Sequence, residues 1–212
     1  AEAARIQSDF GRLLVADGVL AGFAQFHADG RVGHLLHPRD AETGIHYRLL
    51  PMIHAIGADM LSPRDAAHHL ALIREHLLGS DGARLFDRPP AYRGGPMQRF
   101  QRAESSTFFG REIGLMYVHA HLRWAEALAH LGEADAFFAA LQQAQPIGIR
   151  EVVAAARPRQ ANCYYSSSDA DVADRGEAAA RYADIRAGKV PLEGGWRVYS
   201  SGAGIAFRLI HE

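Results

Sequence analysis

Apolar positions recur at helical spacing along most of the chain and at strand spacing only near its start. In Ala1 to Ala16, Ile6, Phe10, Leu13 and Leu14 fall on one face, which predicts an amphipathic helix closed by Asp17-Gly18. Between Gly22 and Leu36, Phe23 and Phe26 precede an Asp29-Gly30 turn, with Val32, Leu35 and Leu36 beyond it, the pattern of a short hairpin. Helical spacing returns from Ile45 to Met60 (Leu49, Ile53, Ile56, Met60), with Pro51 near the first turn. Ser62-Pro63-Arg64-Asp65 then supplies an N-cap, a proline at the first helical position and an acidic third position, for a helix stopped by Gly79.

The stretch from Ser80 to Thr107 holds Pro89-Pro90 and Gly94-Gly95-Pro96 and few periodic apolar positions, so it predicts a long functional loop. A helix is expected over Arg111 to Leu131, with Ile113, Met116, Tyr117, Ala120, Trp124 and Leu128 inward and Gly132 at its end. A second follows over Glu133 to Ala144, carrying Phe137, Phe138 and Leu141, and the tight glycine connection makes the two an antiparallel pair. A further helix is expected from about Ala170 to Ala187, with Gly176 as a weak point. Last, the glycine-rich loop Gly194 to Gly204 leads into an apolar helix over Ile205 to Ile210. The whole predicts a mainly α fold of antiparallel helix pairs, an α-helical toroid or solenoid segment with one short β-hairpin near its start.

Composition narrows the function classes. With 23 basic and 24 acidic residues and a formal net charge of -1, the chain has no general attraction for nucleic acid or an anionic membrane. One cysteine, Cys163, excludes an internal disulfide framework and fits a reducing compartment. No apolar run is long enough to span a bilayer, and the start lacks the basic and apolar segments of a signal peptide, so a cytoplasmic location is expected. Only Ala1, a poor capping residue, precedes Glu2, and a start on an uncapped amphipathic stretch is expected of a chain cut from a longer one.

Three stretches can carry chemistry. In Gly194-Gly195-Trp196-Arg197-Val198-Tyr199-Ser200-Ser201-Gly202-Ala203-Gly204, backbone N–H groups and two hydroxyls meet before a helix, a combination suited to an anion; the alternative is a plain glycine-rich turn. In Phe109-Gly110-Arg111-Glu112-Ile113-Gly114 followed by His119, eight positions separate Arg111 from His119, about 80° of azimuth on one helix, and the two can border one cavity. There the alternative is a dipole-favoured glutamate and a core histidine satisfied by a carbonyl. In Arg159 to Asp169, three serines and Asp169 form a helix cap region more readily than a nucleophile, since no Gly-x-Ser-x-Gly elbow is present. The twelve histidines include no His-Glu-x-x-His pattern, and His68-His69 and His119/His121 diverge on a helix, so no metal site is expected.

Gly110-Arg111-Glu112-Ile113-Gly114 with His119, then Ala161-Asn162-Cys163-Tyr164-Tyr165-Ser166-Ser167-Ser168-Asp169, then the loop Gly194 to Gly204, in this order along the chain, resemble the C-terminal part of the catalytic domain of inverting glycoside phosphorylases. That family includes the cellobiose and chitobiose phosphorylases, and the variant here is most similar to the 1,2-β-oligoglucan phosphorylase branch and to the corresponding part of cyclic β-1,2-glucan synthase. The resemblance implies that residues 1–212 form one segment of a partial (α/α)6 toroid, truncated on its N-terminal side. It implies phosphate contacts from His119, Ser200, Ser201 and Gly202, with Ser201 departing from the family's glycine, and sugar or phosphate contacts from Arg111, Glu112, Glu104 and Gln160. Gly176 stands where the family places an aromatic residue.

The implied reaction is direct displacement, in which inorganic phosphate attacks the anomeric carbon while a carboxylic acid protonates the glycosidic oxygen. Phosphate is then a co-substrate, a β-glucan oligosaccharide the other, and no cofactor is expected. The family's acid is an aspartate in an Asp-Trp-Asn-Asp-like segment; none occurs here, so it is expected upstream of Ala1, in a region that would complete the site. Two expectations follow: a phosphate-side segment of a β-glucan phosphorylase, or a non-catalytic carbohydrate- or anion-binding helical module or remnant without activity of its own.

Overall fold

The computed structural model describes residues 2–91, 116–145, 148–152, 154–157, 168–194 and 200–211. Helix α1 (Glu2–Leu14) is followed by a two-residue hairpin, β1 (Val15–Ala16) and β2 (Val19–Leu20). Asp17-Gly18 is therefore the hairpin's turn and not the helix stop expected of it. Both residues have positive φ (50° and 75°), the backbone of a two-residue primed turn, which an Asp-Gly pair adopts at low cost. The expected second hairpin is present as β3 (Phe23–Phe26) and β4 (Val32–Leu35), with Phe23 opposite Leu35 and Phe26 opposite Val32. No residue of α1 is buried; Ile6, Phe10, Leu13, Phe23 and Phe26 line an apolar groove of about 530 Å³ between α1 and β3.

Helix α2 (Leu49–Gly57) is shorter than the Ile45 to Met60 pattern because Arg48 is extended and the Leu49 N–H bonds to the Leu85 carbonyl at 3.0 Å. Its end is a Schellman motif. Asp59, at φ 53°, lets its own N–H reach the Ile56 carbonyl and the Met60 N–H reach that of Ala55. Helix α3 (Pro63–Leu72) starts as the sequence predicts: Ser62 Oγ accepts from the Asp65 N–H at 3.2 Å. A π-helical turn, Ile73–Leu77, carries it into β5 (Leu78–Gly79), which pairs with β6 (Gly82–Ala83), so the expected loop from Ser80 begins as a tight hairpin.

Helix α4 (Val118–His130) lies at the centre of the main core. Met116 and Tyr117 are not helical, contrary to expectation: Tyr117 is extended, and Met116 bridges to Arg84. His119 thus belongs to the first turn of α4, and a continuous helix from Arg111 to His119 is ruled out at Met116 and Tyr117. Gly132, at φ 74°, closes α4, and α5 (Ala134–Ala144) packs against it as the expected antiparallel partner. Of the apolar residues on α5, Leu141 is buried and Phe138 is 61% exposed.

A short helix, α6 (Ile149–Val152), precedes β7 (Ser168–Ala170), which pairs with β8 (Leu192–Gly194). The single helix expected from Ala170 to Ala187 is two, α7 (Arg175–Ala180) and α8 (Tyr182–Arg186), and the capping residue is Asp174, not Asp169. Asp169 is paired in the strand opposite Glu193. Helix α9 (Ser200–His211) begins five positions before Ile205, so Ser200, Ser201 and Gly202 form its first turn rather than a loop.

Side chains of α2, α3, α4, α5 and α9 share one core, among them Met52, Leu70, Leu122, Trp124, Leu141 and Ile205. Ala156, Ala178, Tyr182, Ile185, Val190 and Leu192 make a smaller cluster beside it. Among the described residues the structure is mainly helical, with two-stranded antiparallel sheets. No helix among them is long and apolar enough to cross a membrane.

Candidate functional site

The segment Arg84–Phe86 fixes where two helices begin. Leu85 accepts from the first N–H of α2, and Arg84 bridges to Met116 just before α4. The two helices therefore start at the same end and run side by side in one direction: His54 faces Arg123, and Asp59 past the end of α2 reaches His130 at 2.8 Å. Between them lies a cavity of about 270 Å³ lined by Ile53, His54, Gly57, Arg123, Glu126 and His130, together with two alanines.

His119, Arg123, Glu126 and His130 follow one another at i, i+4, i+7 and i+11, a polar line on a helix whose other faces are buried. His119 is half-buried and stacks on Tyr117, with centroids 5.7 Å apart and planes 15° apart. Its pKa is lowered from the ordinary 6.5, first by desolvation and then by the positive charges of Arg123 and His54. At neutral pH the ring is uncharged and offers one N–H donor. An anion brought beside it would oppose the charge of Arg123 and move its pKa upward.

Arg123 Nη1 donates to Glu126 Oε2 at 2.6 Å, and Arg208 Nη2, from α9, donates to Glu126 Oε1. One carboxylate thus holds two arginines from two helices and leaves the trio with a net positive charge. Burial would raise the pKa of Glu126, but its hydrogen bonds to Arg123 and Arg208 outweigh that and hold the group below the usual carboxylate range. Among the described residues, Arg123 Nε is buried with no hydrogen-bond partner.

Of the residues expected at the site, His119 lies at the head of this polar line. Ser200 and Ser201 open α9, and Gly202 is buried in its first turn. Helix α9 packs on α4, where Glu126 stands eight positions after Val118 and Arg208 eight after Ser200. Arg111, Glu112, Glu104 and Gln160 lie outside the described residues. Sequence reading missed His54, Arg123, Glu126, His130 and Arg208. The signal that could have found three of them, Arg123, Glu126 and His130, was their line with His119 along one face of a mostly apolar helix.

Three other histidines are structural. His121 Nδ1 accepts from the Ala83 N–H at 3.0 Å while its Nε2–H donates to the Ala140 carbonyl at 2.8 Å. His69 accepts at Nε2 from the Leu20 N–H (3.1 Å) and donates from Nδ1 to the Asp65 carbonyl (2.7 Å). His37 accepts at Nδ1 from the Arg39 N–H (3.1 Å) and donates from Nε2 to the Ala16 carbonyl (3.0 Å). A ring that accepts at one nitrogen and donates at the other is a neutral tautomer, and burial lowers the pKa of all three. Among the described residues no group of three or more His, Cys, Asp or Glu side chains converges as a metal site would.

No protein-family model matches the chain. A 1,2-beta-oligoglucan phosphorylase of Listeria innocua serovar 6a is 42% identical to it over 204 residues, 96% of this chain and 19% of that protein. The chain therefore spans about a fifth of the length of the relative it matches. Over nearly its whole length it is similar to part of a glycoside phosphorylase.

Proposed function

We propose that this chain is the phosphate-side segment of a β-glucan phosphorylase, a piece of an (α/α)6 toroid that acts on β-1,2-glucooligosaccharides and phosphate. The observation that carries the reading is the 42% identity to a 1,2-beta-oligoglucan phosphorylase across 204 residues. The geometry is in keeping with it. An uncharged imidazole at the head of α4, a net positive Arg123–Glu126–Arg208 trio and a second helix start at Ser200 offer donors and positive potential without a general base.

Phosphate needs no such base. It already bears the negative charge of a nucleophile, so the protein's task is to hold it against the anomeric carbon and offset repulsion. A phosphate oxygen forms a bond to that carbon as the glycosidic C–O bond breaks, and the leaving oxygen takes its proton from a carboxylic acid. The products are a sugar 1-phosphate of inverted configuration and a shortened oligosaccharide. In this reading His119, Ser200, Ser201 and Gly202 hold the phosphate, and Arg111, Glu112, Glu104 and Gln160 hold sugar or phosphate. The acid comes from a region of the phosphorylase that this chain does not contain.

Calorimetric titration with inorganic phosphate tests the assignment. The unaltered chain is expected to bind, and His119→Ala and Ser200→Ala each to weaken binding by at least about tenfold, the loss of one charge-assisted hydrogen bond. Equal affinity in all three proteins would remove both residues from the site.

A further inference from the structure

We propose that Glu126 is a positioning residue for the phosphate site: its carboxylate clamps Arg123 and Arg208 and thereby fixes α9 against the face of α4 that carries His119. This rests on the reading of that face as the phosphate side. Both oxygens of Glu126 are engaged, Oε2 by Arg123 of its own helix and Oε1 by Arg208 of α9, across 82 residues of sequence. The three side chains are only 30 to 38% exposed, so their attraction is less screened than that of surface pairs. Among the described residues of α9, Ile205, Ala206 and Leu209 are buried in the main core, while Phe207 and Ile210 are 68% and 63% exposed. Apolar contacts tolerate sliding more than a carboxylate that accepts a hydrogen bond from each of two guanidinium groups does.

The clamp also sets where Arg123 puts its charge. Arg123 lies one turn beyond His119 and is the first charged group among the causes of its lowered pKa. Glu126 never needs to touch the anion: by holding Arg123 one turn from the imidazole and the first turn of α9 in register, it prepares the donors.

Glu126→Gln separates positioning from simple charge. Removing a negative charge beside two arginines raises the local positive potential, so electrostatics alone predicts tighter phosphate binding. Loss of the clamp predicts the reverse. Inorganic phosphate titrated into the 212-residue chain is expected to bind about tenfold more weakly to Glu126→Gln than to the unaltered protein, and Arg208→Lys, which keeps the charge and loses the fork, to weaken it comparably. Hydrogen exchange without ligand is expected to speed up about tenfold in the amides of 203–210 in both variants, with α2 and α5 keeping their protection.

Unchanged exchange in α9 would overturn the clamp whatever phosphate does. Phosphate bound equally or more tightly by both variants, with the unaltered chain binding, would overturn the positioning role and leave the phosphate site standing. No phosphate binding by the unaltered chain would overturn the site reading, and the positioning role with it. If Glu126→Gln does not fold, Arg208→Lys carries the same two measurements.

Discussion

Mild acid should destabilise the fold through three imidazoles. His37, His69 and His121 are all 0% exposed, and each accepts a backbone hydrogen bond at one ring nitrogen, so protonation must break that bond and charge a buried group. Their folded pKa values are lowered from 6.5. With a depressed folded pKa, the unfolded chain takes up the proton first. Stability is therefore full above about pH 6.5 and is lost as pH falls below it. For an imidazole that stays neutral in the fold, linkage gives a loss of up to about 1.4 kcal/mol between pH 7.5 and 5.5, and for three together up to about 4 kcal/mol. That is a large part of the 5–15 kcal/mol stability usual for a domain. Asp40 and Glu126, whose pKa values are lowered, act in the same direction but below this window, as pH falls past the usual carboxylate range. Urea melts followed by the fluorescence of buried Trp124 would measure the loss. His121→Gln, which keeps a donor and an acceptor and cannot titrate, should reduce the loss by about a third. A stability unchanged from pH 7.5 to 5.5, or an identical loss in His121→Gln, would refute the reasoning.

Two further substitutions test the local structure in the same melts. Gly82→Ala should cost about 3 kcal/mol, because Gly82 sits at φ 126° and a Cβ there would lie 2.7 Å from His121 Nδ1; a loss below about 1 kcal/mol would show that the turn relaxes. Ser62→Ala should cost about 1 kcal/mol by removing the acceptor of the Asp65 N–H, whereas Ser62→Gly should cost only a few tenths.

Local chemistry was readable where it acts alone. Ser62-Pro63-Arg64-Asp65 starts a helix and Asp29-Gly30 turns a hairpin because their preferences are decided within a few residues. Asp17-Gly18 misled because positive φ serves a helix end and a hairpin equally, and only the pairing of Val15 with Leu20 chooses between them. Met116 and Tyr117 match a helical spacing, yet Arg84 claims Met116 as a bridge partner from a distant part of the chain. Ser168 to Ala170 is a strand only because Leu192 to Gly194 lies beside it. At the candidate site, His119 was reached through resemblance to a family. Arg123, Glu126 and Arg208 were out of reach because their meaning depends on which helix faces α4, a tertiary fact that no periodicity carries.

The seam between the main core and the Tyr182–Ile185 cluster is polar, and this limits how they can meet. Arg84 is wholly buried, pairs with Asp81 at 2.8 Å and points at the Ile185 carbonyl; the Tyr182 hydroxyl donates to Phe86; Arg186 donates to the carbonyls of His76 and Glu75. Oily surfaces would allow many near-equal dockings, but each of these hydrogen bonds holds only at its own distance and angle. A rotation of the smaller cluster by a few degrees strands several of them at once. The joint works like a keyed plug: it adds little grip beyond the apolar contacts, and it admits a single seating.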